Sequence, residues 1–258
     1  MTLPLILAAI LPAILLCVLI YFLDKYERES FPPLAISFGL GMLSALPAVG
    51  IQWLAVKAGI EDSNHILLLL LNVFIVVALS EEVVKLAALF IYPYRQSFFN
   101  EPLDGIVYML MIGMGFATVE NLIYAQKFGM ETTLVRSFTA VPAHAIFAVI
   151  LGYFVGLSKF IDDQKRPLIM KGLFITVLIH GIYDFFLLQE YYDWLMGFGL
   201  VTLLLGLVLS WKLIRVHQRR SPFIEESGLV AESEVRSQES GPSIEEEERN
   251  TSTKNDVP

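Results

Sequence analysis

Ionisable side chains interrupt several of the most apolar stretches of this 258-residue sequence. An ionisable group inside a hydrophobic helix is energetically costly, so each one needs a function or a partner. Carboxylates and imidazoles in a dry environment are suited to moving protons, activating water or binding a metal ion. The candidates are Glu81, Glu82, Lys85, Glu120, Asn121, His144, His180 and Asp184.

Helical spacing turns some of these residues into pairs. Residues four apart lie on one face of a helix, so His180 points the same way as Asp184, and Glu81 the same way as Lys85. Glu81 and Glu82 are rotated by about 100° from each other, so they cannot both point equally at one centre. We therefore expect one glutamate to do the chemistry and the other to hold a neighbouring side chain.

The stretches that carry these residues are long enough to cross a membrane. Hydrophobic residues make up 55% of the sequence, charged residues only 17%, and the mean hydropathy is +0.63. A soluble domain carries about 25% charged residues, and a membrane-spanning helix needs about 20 residues. We predict an all-α, polytopic bundle of about seven transmembrane helices, near residues 3–23, 34–56, 66–91, 104–126, 138–158, 168–188 and 193–214.

These helices would bring the ionisable residues into one layer. At about 1.5 Å per residue, Glu81, Glu120, His144, His180 and Asp184 come out at about 15 to 24 Å from the predicted cytoplasmic ends of their helices. Four separate helices therefore supply polar groups near the middle of the membrane. Three interpretations are open: a hydrolytic site with or without a metal, a proton or ion pathway, and a polar network that only orients helices.

The distribution of charge predicts the orientation of the chain. The loops after the first, third and fifth spans, with the C-terminal flank, hold ten Lys and Arg residues, whereas the opposite loops hold only Lys57, Lys127 and Arg136. Because positive loops stay in the cytoplasm, we predict that the N-terminus lies outside the cell membrane and the C-terminus inside. Residues 221–258, with ten acidic and three basic residues, are predicted to be a disordered cytoplasmic tail.

The sequence also excludes several functions. Residues 1–220 hold 16 acidic and 15 basic residues and no basic stripe, so nucleic-acid binding is not expected. The His-Glu-x-x-His motif of a site-2-type zinc protease and the Gly-x-Ser-Gly motif of a rhomboid-like enzyme are missing. Tyr183-Asp184 matches half of a presenilin-like aspartyl pair, but the partner motif is missing because Phe116 follows Gly115.

The order of the polar motifs resembles the PrsW family of intramembrane proteases. The resemblance covers roughly residues 75–190, and the wider superfamily of CAAX-prenyl proteases and bacteriocin-processing enzymes is similar. That superfamily has Phe-x-x-x-His and His-x-x-x-Asn motifs where this sequence has Phe116-x-x-x-Glu120 and His180-x-x-x-Asp184. The matching motifs are Glu81-Glu82-x-x-Lys85, Asp104-Gly105-Ile106-Val107-Tyr108, the run from Gly115 to Asn121, His144, Gly152-Tyr153 and His180-x-x-x-Asp184.

The resemblance implies that residues 1–220 form a transmembrane protease domain. Its substrate would be a membrane-anchored protein such as an anti-sigma factor, cut at the outer face. Zinc would need three protein ligands and a water, which Glu120, His144 and His180 could supply, and a metal-free glutamate mechanism is the other possibility. A proton- or ion-coupled transporter is the alternative function, although no inverted repeat is visible. The implied catalytic residues are Glu81, Glu82, His144 and His180, supported by Lys85, Glu120, Asn121 and Asp184.

Overall fold

Helices account for all the regular secondary structure that the computed structural model contains over residues 1–60 and 65–224, which are the residues it describes. Residues Met1–Ser221 form one compact unit. The predicted tail lies almost entirely outside the described residues. In chain order the helices are α1 (Leu3–Leu23), α2 (Phe31–Lys57), α3 (Ile66–Leu71), a π-helical segment (Asn72–Leu79), α4 (Ser80–Ile91), α5 (Pro102–Phe138), α6 (Ala140–Phe160), α7 (Lys165–Leu188) and α8 (Met196–Gln218).

The number of membrane crossings follows from the lengths of the helical runs. Six apolar runs in the described part of the chain are long enough to span a membrane, and one of them, Pro102–Phe160, has 59 residues. As one straight helix this run would be about 90 Å long, which is three times the thickness of the roughly 30 Å hydrocarbon core. Gly105 near the start of α5 packs against Gly156 near the end of α6, so these two helices are antiparallel and cross separately. The predicted all-α membrane bundle is confirmed, and the described residues contain seven helical runs of sufficient length once Pro102–Phe160 is divided into its two antiparallel helices.

The fifth helix is longer than predicted. The span was predicted to end near residue 126, with Lys127 and Arg136 in the loop that follows it. The helix instead continues to Phe138 through a reversal at Gly129, whose φ of 81° lies in the region that favours glycine. The residues after Gly129 are helical again, and they carry Arg136 back against the bundle.

Close packing fixes α5 at the centre of the fold. It contacts α1, α2, α4, α6 and α8. A side chain at Gly105 would collide with the backbone of Gly152 and Gly156 on α6, and one at Gly115 would collide with the backbone of Phe38 on α2. Small residues at such contacts let membrane helices approach closely. The side chains that α5 contributes are therefore held on a rigid frame.

A π-helical segment comes directly before the paired glutamates. Over Asn72–Leu79 the backbone takes the wider π-helical turn, and α4 then begins at Ser80. Phe74 of this segment packs on Gly181 of α7, where a β-carbon would collide with its ring. Such wide turns are often found at functional sites, because they change the direction in which the following side chains point.

Candidate active site

Lys85 is the centre of a buried polar cluster and is only 1% exposed. Its Nζ lies 2.7 Å from Glu82 Oε1 and 3.5 Å from Glu81 Oε2. The same ammonium lies 3.4 Å from His144 Nδ1 and 4.4 Å from the ring centroid of Phe116. One positive charge is therefore shared by two carboxylates and an imidazole above an aromatic face.

Glu120 connects α5 to α6 and to the segment that returns after Gly129. Its Oε2 lies 2.7 Å from His144 Nε2 and 3.0 Å from Arg136 Nη2. Arg136 Nε donates to Asn121 Oδ1 at 3.1 Å, and Asn121 Nδ2 donates to the carbonyl oxygen of Ala9 at 3.2 Å. Asn121 thus supports the cluster indirectly, by fixing the guanidinium of Arg136 against Glu120.

The partners of His144 define its tautomer. The ammonium of Lys85 can only donate hydrogen bonds, so Nδ1 of His144 is the acceptor. The ring proton then lies on Nε2, which donates to Glu120. His144 accordingly turns its N–H donor toward Glu120 and its accepting nitrogen toward Lys85.

His180 lies between two carboxylates. Its Nδ1 is 3.0 Å from Glu82 Oε1, and its Nε2 is 3.2 Å from Asp184 Oδ2. Both ring nitrogens can donate at once only when the imidazole is protonated. The ring of Phe147 stacks on His180 with centroids 4.3 Å apart, which holds the imidazole plane in this orientation.

The structure thus brings the sequence-predicted residues into one network. The residues that the resemblance implies to be catalytic come from α4, α6 and α7, and the network extends to α5 through Glu120. Asn121 is the one predicted supporting residue that contacts the network only through another side chain. The members in direct contact are Glu81, Glu82, Lys85, Glu120, His144, His180 and Asp184.

Sequence reasoning missed two members of this network. Gln52 on α2 donates from Nε2 to Glu81 Oε1 at 3.0 Å. The signal for Gln52 was an uncharged polar residue inside an apolar span. Arg136 was counted among loop cations, because nothing local in the sequence says that the chain reverses at Gly129 and returns.

Exposure changes from one end of the network to the other. The side chains of Glu82 and Lys85 are at most 2% exposed. Those of Glu120, Asp184 and Arg136 are 22%, 17% and 15% exposed. The network is therefore more accessible at the end formed by these three residues, and the glutamate pair lies at its buried end.

Glu81, Glu82 and His180 have the geometry and chemistry of a metal site. One ligand atom from each lies within 4.8 Å of the others. Oε2 of each glutamate is buried and accepts no hydrogen bond from the described residues. The network holds four carboxylates but only two permanent cations, Lys85 and Arg136. A divalent ion would neutralise the two remaining negative charges, so these residues fit one.

The ligand set expected from the sequence was a different one, made of Glu120, His144 and His180. In the structure Glu120 and His144 are hydrogen-bonded to each other at 2.7 Å. The rings of His144 and His180 are nearly perpendicular, with centroids 5.8 Å apart. That set stays a prediction, whereas the glutamate pair with His180 already has converging ligand atoms.

Comparisons with known proteins identify the family of the chain. A sequence profile described as "PrsW family intramembrane metalloprotease" matches residues 29–212. Protease PrsW of Geobacillus kaustophilus is 34% identical over 197 residues, which are 76% of this chain and 85% of the relative. Protease PrsW of Bacillus subtilis is 34% identical over 181 residues, 70% and 81% of the two chains. That of Clostridioides difficile is 29% identical over 219 residues, 83% and 89%. No solved structure matches the chain.

Fold, site and relatives together define a membrane-embedded peptidase, whose substrates are membrane proteins. The chain belongs to the PrsW family of intramembrane metalloproteases, as its motifs predicted.

Proposed function

We propose that this chain hydrolyses a peptide bond of a membrane-anchored protein, such as an anti-sigma factor, with Glu81, Glu82, His144 and His180 as its catalytic centre. The observation that carries the proposal is the meeting of Glu81, Glu82 and His144 around the buried ammonium of Lys85. The fourth residue, His180, is hydrogen-bonded to Glu82. An excess of carboxylates in a dry layer is costly and is typical of a working site rather than of helix packing alone.

The contacts of the two glutamates support different roles for them. One oxygen of Glu82 is occupied by both Lys85 at 2.7 Å and His180 at 3.0 Å. Glu81 is held through one oxygen by Gln52, and its Oε2 accepts no hydrogen bond among the described residues. Its ion-pair contact with Lys85 Nζ is 3.5 Å long, so this oxygen is free to take the proton of a water as the water attacks the scissile carbonyl. We assign this general-base role to Glu81 and the positioning of Lys85 and His180 to Glu82.

The two histidines supply protons to the reacting groups. His180, doubly hydrogen-bonded and oriented by Asp184, is suited to protonate the leaving amine. His144 presents an Nε2–H, now donated to Glu120, to the partly exposed end of the network. When a substrate carbonyl enters, this donor can turn to the developing oxyanion, which a preorganised hydrogen bond stabilises strongly in a dry site.

These proton-transfer and positioning roles describe a metal-free mechanism. In a metalloprotease the zinc would be held by Glu81, Glu82 and His180, which would then act as ligands in place of those roles. When bound there, the ion supplies Lewis-acid polarisation of the scissile carbonyl and of water. The protein's own part is to keep the ligand atoms converged: Gln52 holds Glu81, and Asp184 fixes the outer nitrogen of His180.

The accessible end of the network supports cleavage near the outer surface of the membrane. Glu120 and Asp184 lie toward the ends of α5 and α7 that the charge bias predicts to face outside. In this orientation the C-terminus is cytoplasmic. A C-terminal alkaline phosphatase fusion should be inactive and a C-terminal fluorescent fusion bright, and the opposite pair of results would reverse the orientation.

The catalytic proposal is tested with purified protein in lipid nanodiscs and a membrane-anchored fluorogenic reporter. Glu81→Gln, Glu82→Gln, His144→Ala and His180→Ala should each reduce cleavage by about 100-fold or more, because such a unit fails when one member is removed. Glu190→Gln, at an exposed position between α7 and α8, is the matched control and should cleave normally. Folded variants that cleave at the wild-type rate would refute the site.

Two further measurements address the metal and the substrate. Elemental analysis should find about one zinc per wild-type chain, and much less in the double variant Glu82→Gln with His180→Ala. A reporter that lacks its membrane anchor should be cut poorly, because the site lies within the bundle. Anti-sigma-factor segments should be cut faster than unrelated anchors of equal length.

A further inference from the structure

An apolar cleft of about 410 Å³, here called the α1–α2 cleft, lies between the first two helices. Both helices pack on α5, whereas α1 and α2 barely touch each other. The volume lies within the range of about 300–1,000 Å³ that is typical of small-molecule sites. None of the side chains that line the cleft is charged; they include Cys17 and Tyr21 of α1, Phe31 and Ala35 of α2, and Met111 of α5.

The α1–α2 cleft is open to the surroundings of the bundle. Val18 and Phe31 line it and are exposed, and α1 carries no charged residue over its whole length, Leu3–Leu23. In a membrane these surroundings are lipid, and a cleft left empty would forfeit the dispersion contacts of its walls. Along α1 the lining runs from Ile14 to Tyr21, which is about 10 Å. An extended hydrocarbon chain therefore suits both the chemistry and the direction of the cleft.

Two basic residues lie at the end of the cleft that follows α1. The guanidinium carbon of Arg28 is 5.7 Å from the ring centroid of Tyr21, and its Nε donates to the carbonyl oxygen of Asp24 at 3.4 Å. Lys25 and Arg28 are both exposed, and neither belongs to a salt bridge within the described part of the chain. A guanidinium held beside an apolar cleft is complementary to a phosphate that is joined to a hydrocarbon chain.

The acidic residues of the same connection are turned toward the protein. Asp24 and Glu29 are buried, and Glu27 Oε1 accepts a hydrogen bond from Asn100 Nδ2 at 3.0 Å. The exposed charge beside the cleft is therefore positive, although the connection contains more acidic than basic residues. Basic side chains just beyond the end of a membrane span lie at the level of the lipid headgroups and attract anionic lipids.

We propose that the α1–α2 cleft binds one anionic glycerophospholipid, with an acyl chain between the two helices and its phosphate on Arg28. Such a lipid supplies both hydrocarbon for the cleft and negative charge for the arginine. It fills the space that α1 and α2 leave open and so stabilises both helices on α5. The cleft residue Met111 precedes Glu120 by nine positions on α5, about 14 Å. The lipid site is thus separate from the catalytic network and does not depend on the proposed function.

Photocrosslinking of the purified full chain tests the site without any substitution. The probe is a phosphatidylglycerol that carries a diazirine in one acyl chain, and its adducts are mapped by mass spectrometry. They should concentrate around Val18, Ala35 and Met111, and unlabelled phosphatidylglycerol should compete better than phosphatidylcholine. Adducts spread evenly over the lipid-facing helices, or equal competition by the two lipids, would overturn the proposal.

A pair of neighbouring substitutions on α2 tests the position of the acyl chain. Ala35→Phe fills the cleft from an exposed position in its wall and should remove the adducts around it. Ile36→Phe, the matched control, changes the next residue, which is exposed but does not line the cleft, and should keep them. Loss of the adducts in both variants, or their retention in both, would contradict binding in the cleft.

Native mass spectrometry of the detergent-purified chain, titrated with phosphatidylglycerol, tests the phosphate contact. The wild type should retain one lipid at low lipid concentration. Arg28→Gln should weaken its binding about five-fold, the effect of one basic residue beside anionic lipid. Lys57→Gln removes an exposed cation at the far end of α2 and should bind like the wild type. Equal affinities of Arg28→Gln and the wild type would overturn the proposed contact of the phosphate with Arg28.

Discussion

Glu82 Oε1 lies 3.0 Å from His180 Nδ1, although 98 positions separate the two residues in the chain. The same oxygen accepts a hydrogen bond from Lys85 Nζ at 2.7 Å. A carboxylate oxygen that accepts from two donors of this kind is held ionised, in one orientation. The contact joins α4 to α7 in the interior, so the site exists only when both helices are in place.

Removal of the shared ammonium should disable both the site and the fold. In Lys85→Met, Glu81 and Glu82 lose their nearest permanent cation in a dry environment, and breaking a buried pair costs about 3–5 kcal/mol. Cleavage should fall at least about 100-fold, and the unfolding midpoint should drop markedly. Lys85→Arg should not rescue activity, because a planar guanidinium does not fit a site that is only 1% exposed.

The lysine prediction is checked by reporter cleavage and thermal unfolding of the same samples. Lys171→Met, on an exposed part of α7, is the matched control and should be close to wild type. An active, stable Lys85→Met variant would mean that the two carboxylates do not depend on this ammonium.

Arg136 should act by holding Glu120. In Arg136→Gln, the 3.0 Å contact with Glu120 and the 3.1 Å contact with Asn121 are lost. Because supporting partners of this kind contribute about 10- to 100-fold to activity, kcat should fall in this range while the protein stays folded. Arg136→Lys should recover part of the lost activity, because lysine restores the positive charge but cannot donate to both partners as the planar guanidinium does.

Lys127→Gln provides the comparison for Arg136, because it removes an exposed positive charge from the same connection. The kcat of Lys127→Gln on the membrane-anchored reporter should equal that of the wild type. Equal losses in Arg136→Gln and Lys127→Gln would point to a general effect of charge instead of the contact with Glu120.

Close helix contact should make Gly105 intolerant of any side chain. A methyl group there would meet the backbone of Gly152 and Gly156, and neither can move without shifting α6. Overpacking costs about 1–3 kcal/mol or more, so Gly105→Ala should lower the unfolding midpoint and the yield of folded protein. Gly50→Ala should be harmless, because nothing lies within 4 Å of the added carbon.

Stability should depend on pH through Asp24. Burial, the largest cause, and the charges of Glu101, Glu29 and Glu27 together raise its pKa to about 8, against the opposing charge of Arg28. A carboxyl group whose pKa is higher in the folded state holds a proton that the unfolded chain releases at about pH 4. Its stabilising contribution is thus complete below about pH 4, declines as pH rises, and is gone above about pH 8.

The measurement compares unfolding midpoints of the wild type and Asp24→Asn from pH 5 to pH 9. The difference between them should shift in favour of the asparagine variant as pH rises. A difference that stays constant over this range would show that Asp24 does not change its protonation on folding.

The helices and the chemistry of the site were predictable from the sequence because both depend on local properties. An apolar stretch of sufficient length predicts a span, and the depth of Glu81, His144 and His180 along their spans predicted that they meet. The π-helical turn before Glu81 has no such local signature. The contact of Arg136 with Glu120 depends on a reversal of the backbone at Gly129, which is set by packing.

The glycine contacts between α5 and α6 have a consequence for how a substrate reaches the site. Where backbones touch at Gly105, Gly152 and Gly156, no polypeptide can slide between the two helices from the lipid. A lateral gate for a transmembrane substrate must therefore open along another seam. Helix α2, which carries Gln52 against Glu81, borders the glutamate pair on the other side. An outward movement of α2 would expose Glu81, the proposed general base, and would at the same time open a path for the incoming peptide.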